Sequence, residues 1–560
     1  MLEARRPYRW EKSYPPGIDW DAAIATGTLG GLIDRVASYG PRIAIEYRDR
    51  EISYAELARR VDEIAAGLLR LGLGLGAGDT IALYLPNTPF HPIVFFAAAK
   101  AGARLVHLSP LDAERELAMK LADSGARTLV TVNVGALPGM AARLLAAGRI
   151  DRILLGDDAA WGAAATVTLP QDDRIIPLAL LAADAMPPRQ WPRVAVDDVA
   201  LLQYTGGTTG LPKGAMLTHG NLTAAVSIYD VWTEGEGRLR RGEEIAICVL
   251  PLFHIYGLTT VLLRHLASGN RVLLRGRFEV ESVLRDIEEK RATVFSGVPT
   301  MWIALAAHPG IERRDFSALR AISSGGAPLP VEVASRVWRL TGLRLGGGWG
   351  MTETAPAGTN LPLTADKPGS IGIPLPGIVV EVVALADPHR VLAPGETGEF
   401  RVKGPNVVAG YWNRPEESAA AFVDGFLLTG DVGLMDEDGF FYLLDRKKDM
   451  IISGGFNVYP RVIEDAIYEH PSVEEAIVIG IADPYRGEAA KAFVKLRAGA
   501  RPFSLDELRE FLIDRLGRHE MPVALEFRDL LPRTAVGKLS RKELAEEERR
   551  IAARLAAAQN

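Results

Sequence analysis

The order of apolar and polar residues along the chain predicts a parallel α/β architecture. From residue 29 onward, short apolar runs alternate with longer segments in which apolar residues recur at helical spacing. Strands are predicted at 80–85 and 104–108, with a buried helix at 92–103 between them. The alternation returns after residue 269, with a strand at 271–274, a helix at 280–290, a strand at 293–296 and a helix at 299–308. Sheets of this kind bind ligands at the carboxyl ends of their strands.

The pattern changes near residue 369. Short segments at 379–385, 398–403 and 440–443 are separated by Gly, Pro and Asp turns, which indicates an antiparallel or barrel-like subdomain. A charged run at 445–449 then precedes a smaller unit. We therefore predict an α/β fold: a large N-terminal domain of layered α/β subdomains plus a β-rich subdomain over 1–446, and a small mobile α+β C-terminal domain over 447–560. The alanine-rich segment 141–165 is expected to be helix and loop.

Composition and charge narrow the class of protein. The chain has 560 residues, too many for one compact core, and 48% of them are hydrophobic. A net charge of -6 argues against nucleic-acid binding, which needs an excess of Lys and Arg. The single cysteine, Cys248, lies in an apolar run and has no disulfide partner, which favours the cytoplasm. The most apolar segment, 92–105, is shorter than the ~20 residues of a membrane-spanning helix.

The most informative segment is a loop at 204–214 that follows an apolar strand at 199–203. It reads Tyr-Thr-Gly-Gly-Thr-Thr-Gly-Leu-Pro-Lys-Gly. Glycines let backbone N–H groups approach an anion, threonines add hydroxyl donors, and Lys213 adds positive charge. Pro212 and Gly214 stand where a Walker A loop requires Gly and Ser or Thr. The loop is predicted to bind a polyphosphate through Thr205, Gly206, Gly207, Thr208, Thr209, Gly210 and Lys213.

This loop resembles the phosphate-binding signature of the adenylate-forming superfamily: acyl-CoA synthetases, firefly-type luciferases and peptide-synthetase adenylation domains. Ser-Gly-Gly-Ala-Pro at 324–328 and Gly-Trp-Gly-Met-Thr-Glu-Thr at 348–354 resemble its other nucleotide motifs. The resemblance implies nucleotide contacts for Gly325, Gly326, Ala327, Pro328, Gly348, Trp349, Gly350 and Met351, with the Trp349 ring stacked on adenine. It assigns the α-phosphate to Thr352 and magnesium to Glu353 together with Thr205. A carboxylate and a hydroxyl suit these partners.

The resemblance continues to the end of the chain. Thr-Gly-Asp at 429–431 and Asp-Arg at 445–446 match the residues that hold the ribose, which makes Asp431 and Arg446 the candidates. The segment 532–540 resembles the terminal catalytic motif, in which Lys538 meets the carboxylate and the α-phosphate. The small domain would turn about Lys448 between two half-reactions. The second orientation would bring the coenzyme A residues to the pantetheine channel: Ser453, Gly454, Gly455, Phe456, Asn457 and Tyr459. Many relatives have Glu at 456, whereas the fatty-acyl-CoA ligase branch often has Phe.

Selection of the acid is expected near Pro-Leu-Phe-His-Ile-Tyr-Gly-Leu at 251–258, which resembles a segment that lines the acyl pocket. The predicted walls are His254, Leu258, Val298, Pro299, Gly325 and Gly350. Some long-chain relatives place a gating Trp where this chain has Leu258. Glycines and aliphatic residues leave room for an alkyl chain and favour medium to long acids. Arg264 and His265 keep open a dicarboxylic acid such as pimelate, and an aromatic acid is a further alternative.

The resemblance implies an acyl-CoA synthetase that uses ATP, Mg²⁺ and coenzyme A. The acid's carboxylate would attack the α-phosphorus, pyrophosphate would leave, and the thiol would open the acyl-AMP. An acyl-AMP ligase that loads a carrier protein, a luciferase-type oxygenase and a non-catalytic nucleotide-binding protein are the competing classes. The expected partners are the carboxylic acid, ATP and coenzyme A, and a homodimer is left open. The basic N-terminal arm is expected to be solvated, with contact to a membrane surface as the alternative.

Overall fold

Two largely parallel sheets form most of the N-terminal part of the molecule. The computed structural model describes residues 7–70, 79–169, 171–183, 185–205, 212–237, 239–326, 331–454, 456–534 and 539–558. The first sheet has the order Gly346–Gly347, Ala321–Ser324, Val294–Gly297, Ile245–Cys248, Arg271–Leu274, Ile43–Tyr47 and Arg50–Ser53. The second has the order Ile175–Pro177, Arg152–Gly156, Thr128–Val132, Thr80–Leu83, Arg104–His107, Val199–Thr205 and Lys213–Thr218. In each sheet the last two strands pair antiparallel, and the pairs before them are parallel.

Helices connect and cover these strands. The α-helices are Leu29–Val36, Tyr54–Arg70, Phe90–Lys100, Glu114–Ser124, Leu137–Ala146, Leu178–Ala182, His219–Gly235, Arg264–Ala267, Val280–Glu288, Pro299–Ala306, Val331–Thr341, Pro415–Ala421, Pro460–Tyr468, Leu505–Leu512 and Arg541–Ala558. Shorter 3₁₀ turns occur at Arg9–Ser13, Ala37–Tyr39, Asp158–Trp161, Ile311–Arg313 and Thr352–Thr354, and Tyr256–Leu263 is a π-helix. Phe90–Lys100 is buried almost throughout, as its apolar composition predicts.

A third sheet and its short strands form the β-rich region. It has the order Asp387–Val391, Val379–Ala384, Gly398–Lys403, Phe426–Met435 and Phe422–Val423, and Phe441–Arg446 also pairs with Phe426–Met435. A separate pair joins Thr359–Asn360 to Ile373–Pro374. The register of Phe426–Met435 against Phe441–Arg446 places Asp431 opposite Arg446. Two residues from separate sequence motifs therefore lie opposite each other on neighbouring strands.

The C-terminal part has its own sheet and its own apolar core. The sheet has the order Phe456–Val458, Ile451–Ser453, Gly487–Leu496 and Val473–Asp483, and Ala524–Phe527 pairs with Gly487–Leu496. Helices Pro460–Tyr468 and Leu505–Leu512 contribute side chains to the core on this sheet. The predicted fold class, layered α/β followed by a β-rich region and an α+β unit, is confirmed. The domain boundary at 446 and the mobility of the small unit stay predictions.

The structure differs from the sequence prediction in the alanine-rich segment. Residues 141–165 contain the strand Arg152–Gly156, in which Ile153 and Leu154 are fully buried. The abundance of alanine around this strand masks a short apolar run that pairs in parallel with Thr128–Val132. Cys248 is buried, as predicted, and burial raises the pKa of its thiol to about 12. Among the described residues, no helix combines the length and the apolar character needed to cross a bilayer.

Candidate active site

A single large cleft brings most of the described candidate residues together. It has a volume of about 3240 Å³ and runs between the carboxyl ends of strands in both large sheets, the β-rich region and the C-terminal unit. Residues Thr205, Thr352, Glu353, Asp431 and Arg446 line it. Trp349 also lines the cleft, although only 8% of it is exposed. The topology therefore assembles motifs that are spread over more than 200 residues of sequence.

Lys213 and Glu353 are connected through one aromatic residue that the sequence did not single out. Tyr411 donates its hydroxyl to Glu353 Oε1 at 2.9 Å, and Lys213 Nζ lies 5.4 Å from the centre of the same ring. Lys213 also forms an ion pair with Glu417. Burial raises the pKa of Glu353, and the Tyr411 hydrogen bond opposes that shift. A lysine and a buried carboxylate thus share one neighbour at the entrance to the phosphate loop.

Asp431 is the buried centre of the predicted ribose site. Its Oδ2 accepts a hydrogen bond from Trp349 Nε1 at 2.7 Å, and its Oδ1 lies 2.9 Å from Arg446 Nε. Burial raises the pKa of Asp431, whereas the positive charge of Arg446 lowers it. The Trp349 ring meets Phe400 edge-on and has Gly358 against its surface, where a Cβ would lie 2.6 Å from a ring carbon. The carboxylate is therefore held by one hydrogen bond, from Trp349, and one ion pair, with Arg446.

Several predicted site residues lie outside the described residues. These are Gly206, Gly207, Thr208, Thr209 and Gly210 of the phosphate loop, Ala327 and Pro328, Gly455, and Lys538. Residues 535–537 are also outside the described residues, but Arg533 and Leu539 on either side of this segment form a β-bridge, and both line the cleft. These two flanking residues therefore line the same cleft as Asp431 and Glu353.

Comparison with known proteins places the chain. A family model described as AMP-binding enzyme matches residues 32–412, and one described as AMP-binding enzyme C-terminal domain matches 462–538. The chain belongs to the AMP-binding enzyme family. It is 36% identical over 564 residues to a long-chain-fatty-acid–CoA ligase of Bacillus subtilis (strain 168), covering 98% of this chain and 99% of that one. It is 41% identical over 519 residues to a feruloyl-CoA synthase of an Amycolatopsis species, covering 92% and 98%.

A solved structure agrees with these relatives. The o-succinylbenzoate CoA synthetase of Bacillus subtilis, in complex with ATP and magnesium ion, matches with a TM-score of 0.78 at 30% identity, over 92% of this chain and 99% of that one. The predicted family is confirmed. The chain is an adenylate-forming acid–CoA ligase, and ATP and coenzyme A are its co-substrates.

Behind the nucleotide residues, the cleft continues as a channel between two helices and two strands of the first sheet. Regularly spaced side chains from each element line it: Tyr229 and Thr233, then Tyr256, Thr260 and Arg264, then Val294 and Ser296, then Ala321 and Ser323. Leu239 also lines it and packs with Val294 and Ala321. The row from Tyr256 to Arg264 spans eight residue-to-residue steps of helix, or about 10 Å. We call this space the acyl channel, after the predicted acyl-pocket segment that lines it; that it binds the acyl group stays a prediction.

The acyl channel contains four of the predicted wall residues near its mouth. His254, Val298, Pro299 and Gly325 line it, and His254 Nδ1 accepts a hydrogen bond from the Tyr256 backbone N–H at 3.3 Å. A Cβ at Gly325 would lie 2.8 Å from the Tyr256 ring, so glycine lets that ring approach. Gly350 also lines the cleft, but a Cβ there would point at the Pro356 carbonyl rather than into the space.

Leu258 does not lie where the sequence predicted. It is fully buried and is absent from the described lining of the cleft. Residues 256, 260 and 264 face the channel, and a residue two positions after Tyr256 points to the opposite side of the helix. The predicted segment lines the cleft, whereas the side that faces it depends on the phase of a π-helix that the pattern does not encode.

Arg264 and His265, on which the dicarboxylic-acid alternative depends, both contact other side chains of the protein. Arg264 Nη2 donates to Thr233 Oγ1 at 2.6 Å, and Arg264 Nε lies 3.5 Å from Asp230 Oδ1. His265 is fully buried, with Nδ1 3.2 Å from Asn270 Nδ2, and burial lowers its pKa well below the usual value. Because Asp230 already compensates Arg264, a second substrate carboxylate would gain little there.

None of the predicted coenzyme A residues that the structure describes lines the cleft: Ser453, Gly454, Phe456, Asn457 and Tyr459 are all outside its lining. Ser453 pairs with Phe456 across the antiparallel strands, and Phe456 is 59% exposed with its ring 4.9 Å from that of His519. Lys448 lines the cleft on the exposed linker. In this arrangement the flanks of the Lys538 loop face the nucleotide residues, while Phe456 faces outward.

Proposed function

We propose that this enzyme joins a medium- to long-chain fatty acid to coenzyme A through an acyl-AMP intermediate. The observation that carries the choice of acid is the acyl channel, whose lining follows the helix for about 10 Å from Tyr256 to Arg264 and includes Leu239, Val294 and Ala321. Its depth suits an extended alkyl chain whose carboxylate remains at the nucleotide end. Each methylene buried there would add ~0.8 kcal/mol of binding.

The proposed chemistry places charge where negative groups meet. Lys213 and Lys538 would oppose the repulsion between the incoming carboxylate and the phosphates, and Thr352 would donate to the α-phosphate. Asp431 and Arg446 would hold the ribose. These contacts keep the carboxylate in line with the α-phosphorus while pyrophosphate departs. The acyl-AMP is a mixed anhydride that the coenzyme A thiol opens, so no enzyme nucleophile is required.

The residues present fit a magnesium ion that enters with ATP. Mg²⁺ usually binds through one or two protein oxygens, with phosphate oxygens and water completing its coordination. Glu353 offers a buried carboxylate fixed by Tyr411, and Thr205 offers a hydroxyl on the same cleft. When bound, the ion would neutralise phosphate charge. Tyr411 would orient the carboxylate, and Lys213 would act beside it.

An aromatic acid is the second candidate. Tyr229, Tyr256 and Ser323 place hydroxyls along the channel wall, with Tyr256 Oη 3.4 Å from Ser323 Oγ. Such groups could bind ring substituents, and one relative, 41% identical, is named a feruloyl-CoA synthase. A fatty acid requires apolar contacts along this wall, whereas a hydroxylated aromatic acid requires hydrogen bonds from it.

The proposal divides the chain at residues 446 and 447, with the small unit turning near Lys448 between acyl-AMP formation and thiol transfer. The outward-facing Phe456 hairpin supports this, because coenzyme A could reach the cleft beside it only after the small unit reorients. The proposed setting is the cytoplasm, and the reaction as drawn requires neither a membrane contact nor a second copy of the chain.

The test is pyrophosphate exchange into ATP over a panel of fatty, dicarboxylic and aromatic acids, with thioester formation measured in parallel. The expected result is exchange and thioester formation that increase with alkyl chain length up to the channel's capacity. Preference for a short hydroxylated aromatic acid would select the second candidate. Absence of both exchange and acyl-AMP with every acid would contradict the proposed function.

A further inference from the structure

Asp445 lies at the junction between the large part of the protein and the C-terminal unit. It is the next-to-last residue of strand Phe441–Arg446, and it is only 3% exposed. Its Oδ2 accepts the backbone N–H of Arg461 at 2.7 Å, and its Oδ1 lies 2.8 Å from Arg541 Nη1. Arg461 is the second residue of helix Pro460–Tyr468, so the carboxylate also meets the positive end of that helix. Both contacts cross the proposed hinge.

Arg541 is surrounded by carboxylates. Besides Asp445, it binds Glu464 through Nε at 3.0 Å and Nη2 at 2.6 Å, and Asp449 Oδ2 lies 3.6 Å from its Nη1. Burial lowers the pKa of Arg541, but Glu464 and Asp445 raise it by more, so its pKa is raised overall. Glu464 belongs to the C-terminal unit, where it also accepts the Val478 N–H at 2.7 Å. Arg541 therefore connects helix Pro460–Tyr468 of that unit to Asp445.

This connection lies close in sequence to the proposed catalytic lysine, because Arg541 follows Lys538 by three residues. The described residues on either side of 535–538 are held together by the Arg533–Leu539 bridge and by a hydrogen bond from Ser540 N to Pro532 O at 2.8 Å. Arg541 directly follows Ser540, so a contact made by Arg541 also restrains these flanking residues. On the other side, the residue after Asp445 is Arg446, which pairs with Asp431.

We propose that the Asp445–Arg541 ion pair is a latch that holds the C-terminal unit in the orientation for acyl-AMP formation. Arg541 is then a positioning residue: it acts through the Lys538 loop and touches no substrate. Turning the unit for thiol transfer breaks this pair and the Arg461 hydrogen bond. The latch therefore favours the first half-reaction over the second. This inference rests on the proposed function and on the proposed hinge near Lys448.

The test separates the two half-reactions in Arg541→Gln, Asp445→Asn and the double variant. A lost charge-assisted hydrogen bond of ~1.5–3 kcal/mol corresponds to a fall of about ten- to a hundredfold in pyrophosphate exchange. Thioester formation from supplied acyl-AMP is expected to stay within about twofold of wild type. The double variant should lose less than the sum of the two single losses, because both substitutions remove the same ion pair. Arg541→Lys should retain much of the exchange.

Arg528→Gln is the matched control. Arg528 pairs with Glu526 and Glu547 inside the C-terminal unit, so its loss removes a comparable ion pair and should leave the ratio of half-reactions unchanged. Equal loss of both half-reactions in Arg541→Gln, or additive losses in the double variant, would overturn the latch.

A distance measurement tests the latch independently of catalysis. Spin labels at Val391→Cys and Leu530→Cys, both exposed positions, report the orientation of the C-terminal unit, and the native Cys248 is buried. Arg541→Gln is expected to broaden or shift the distance distribution, and Arg528→Gln is not. An unchanged distribution refutes the latch. If wild type forms no acyl-AMP, the proposed function fails, and this measurement alone decides the latch.

Discussion

Replacing Thr260 with phenylalanine tests how deep the substrate enters the acyl channel. Thr260 lies between Tyr256 and Arg264 in the row that lines the channel, and it is buried beside Tyr229. A phenyl ring there would fill the space between the helix and the strand residues Ser296 and Ser323. Short acids would still reach the nucleotide, whereas long acids would lose the inner half of the channel.

The expected magnitude follows from the length that is lost. Thr260 and Arg264 are separated by one helical turn, about 5 Å, which accommodates about four methylene groups. At ~0.8 kcal/mol for each buried methylene, the loss is about 3 kcal/mol, or roughly a hundredfold in kcat/KM. Acids too short to reach Thr260 should change by less than about threefold.

The assay measures kcat/KM in pyrophosphate exchange for a series of straight-chain acids, with thermal unfolding as a check on overpacking, which costs ~1–3 kcal/mol. Thr260→Val is the matched control, because it keeps the shape and removes the hydroxyl. With fatty acids, Thr260→Val should leave the dependence of kcat/KM on chain length unchanged. With a hydroxylated aromatic acid that binds the Thr260 hydroxyl, Thr260→Val should lower kcat/KM. If Thr260→Phe lowers short and long acids equally, the channel does not hold the acyl chain.

The remaining predictions concern the nucleotide, the lysine and the scaffold. Asp431→Asn should raise KM for ATP about ten- to a hundredfold, because the ion pair with Arg446 and the proposed ribose contacts weaken; an unchanged KM contradicts the ribose role. Lys538→Ala should abolish acyl-AMP formation but spare transfer from supplied acyl-AMP, and equal loss of both steps would speak against it. Gly67→Ala should lower the free energy of unfolding by more than ~1 kcal/mol, because its Cβ would lie 2.1 Å from the Leu181 carbonyl oxygen. The helical, exposed Gly139→Ala should raise it by ~0.5–1 kcal/mol in the same denaturation assay.

The sequence was sufficient for the fold class because the periods of its apolar residues are clear. The segment at 92–103 is apolar on every side, so it had to be a buried helix, and the structure has Phe90–Lys100 there. The motifs located Asp431, Arg446 and Glu353, and the fold brings all three to one cleft. Motif spacing works for these residues because each follows or ends a short element whose position is fixed by the sheet.

Contacts between distant elements were not predictable in this way. Tyr411 reaches Glu353 only because the segment after residue 404 returns to the second sheet, where Trp412 N binds the Gly214 carbonyl oxygen at 2.8 Å. Nothing in the local pattern distinguishes this tyrosine from a packing residue. The prediction for Leu258 was wrong for a different reason: the motif located the segment that lines the cleft, but not which side of its helix faces the cleft. Both properties depend on three-dimensional packing.

The consecutive residues Asp445 and Arg446 connect the proposed nucleotide site to the proposed hinge through a single strand. Successive side chains on a strand point to opposite faces, so Arg446 faces Asp431 while Asp445 faces the C-terminal unit. A shift of one residue in the pairing of Phe441–Arg446 with Phe426–Met435 would exchange these faces and leave a carboxylate opposite Asp431. The register of this one strand pair therefore fixes both the charge that pairs with Asp431 and the charge that pairs with Arg541. Substitutions in the acyl channel leave this strand pair in place, because the strand residues that line the channel belong to the first large sheet.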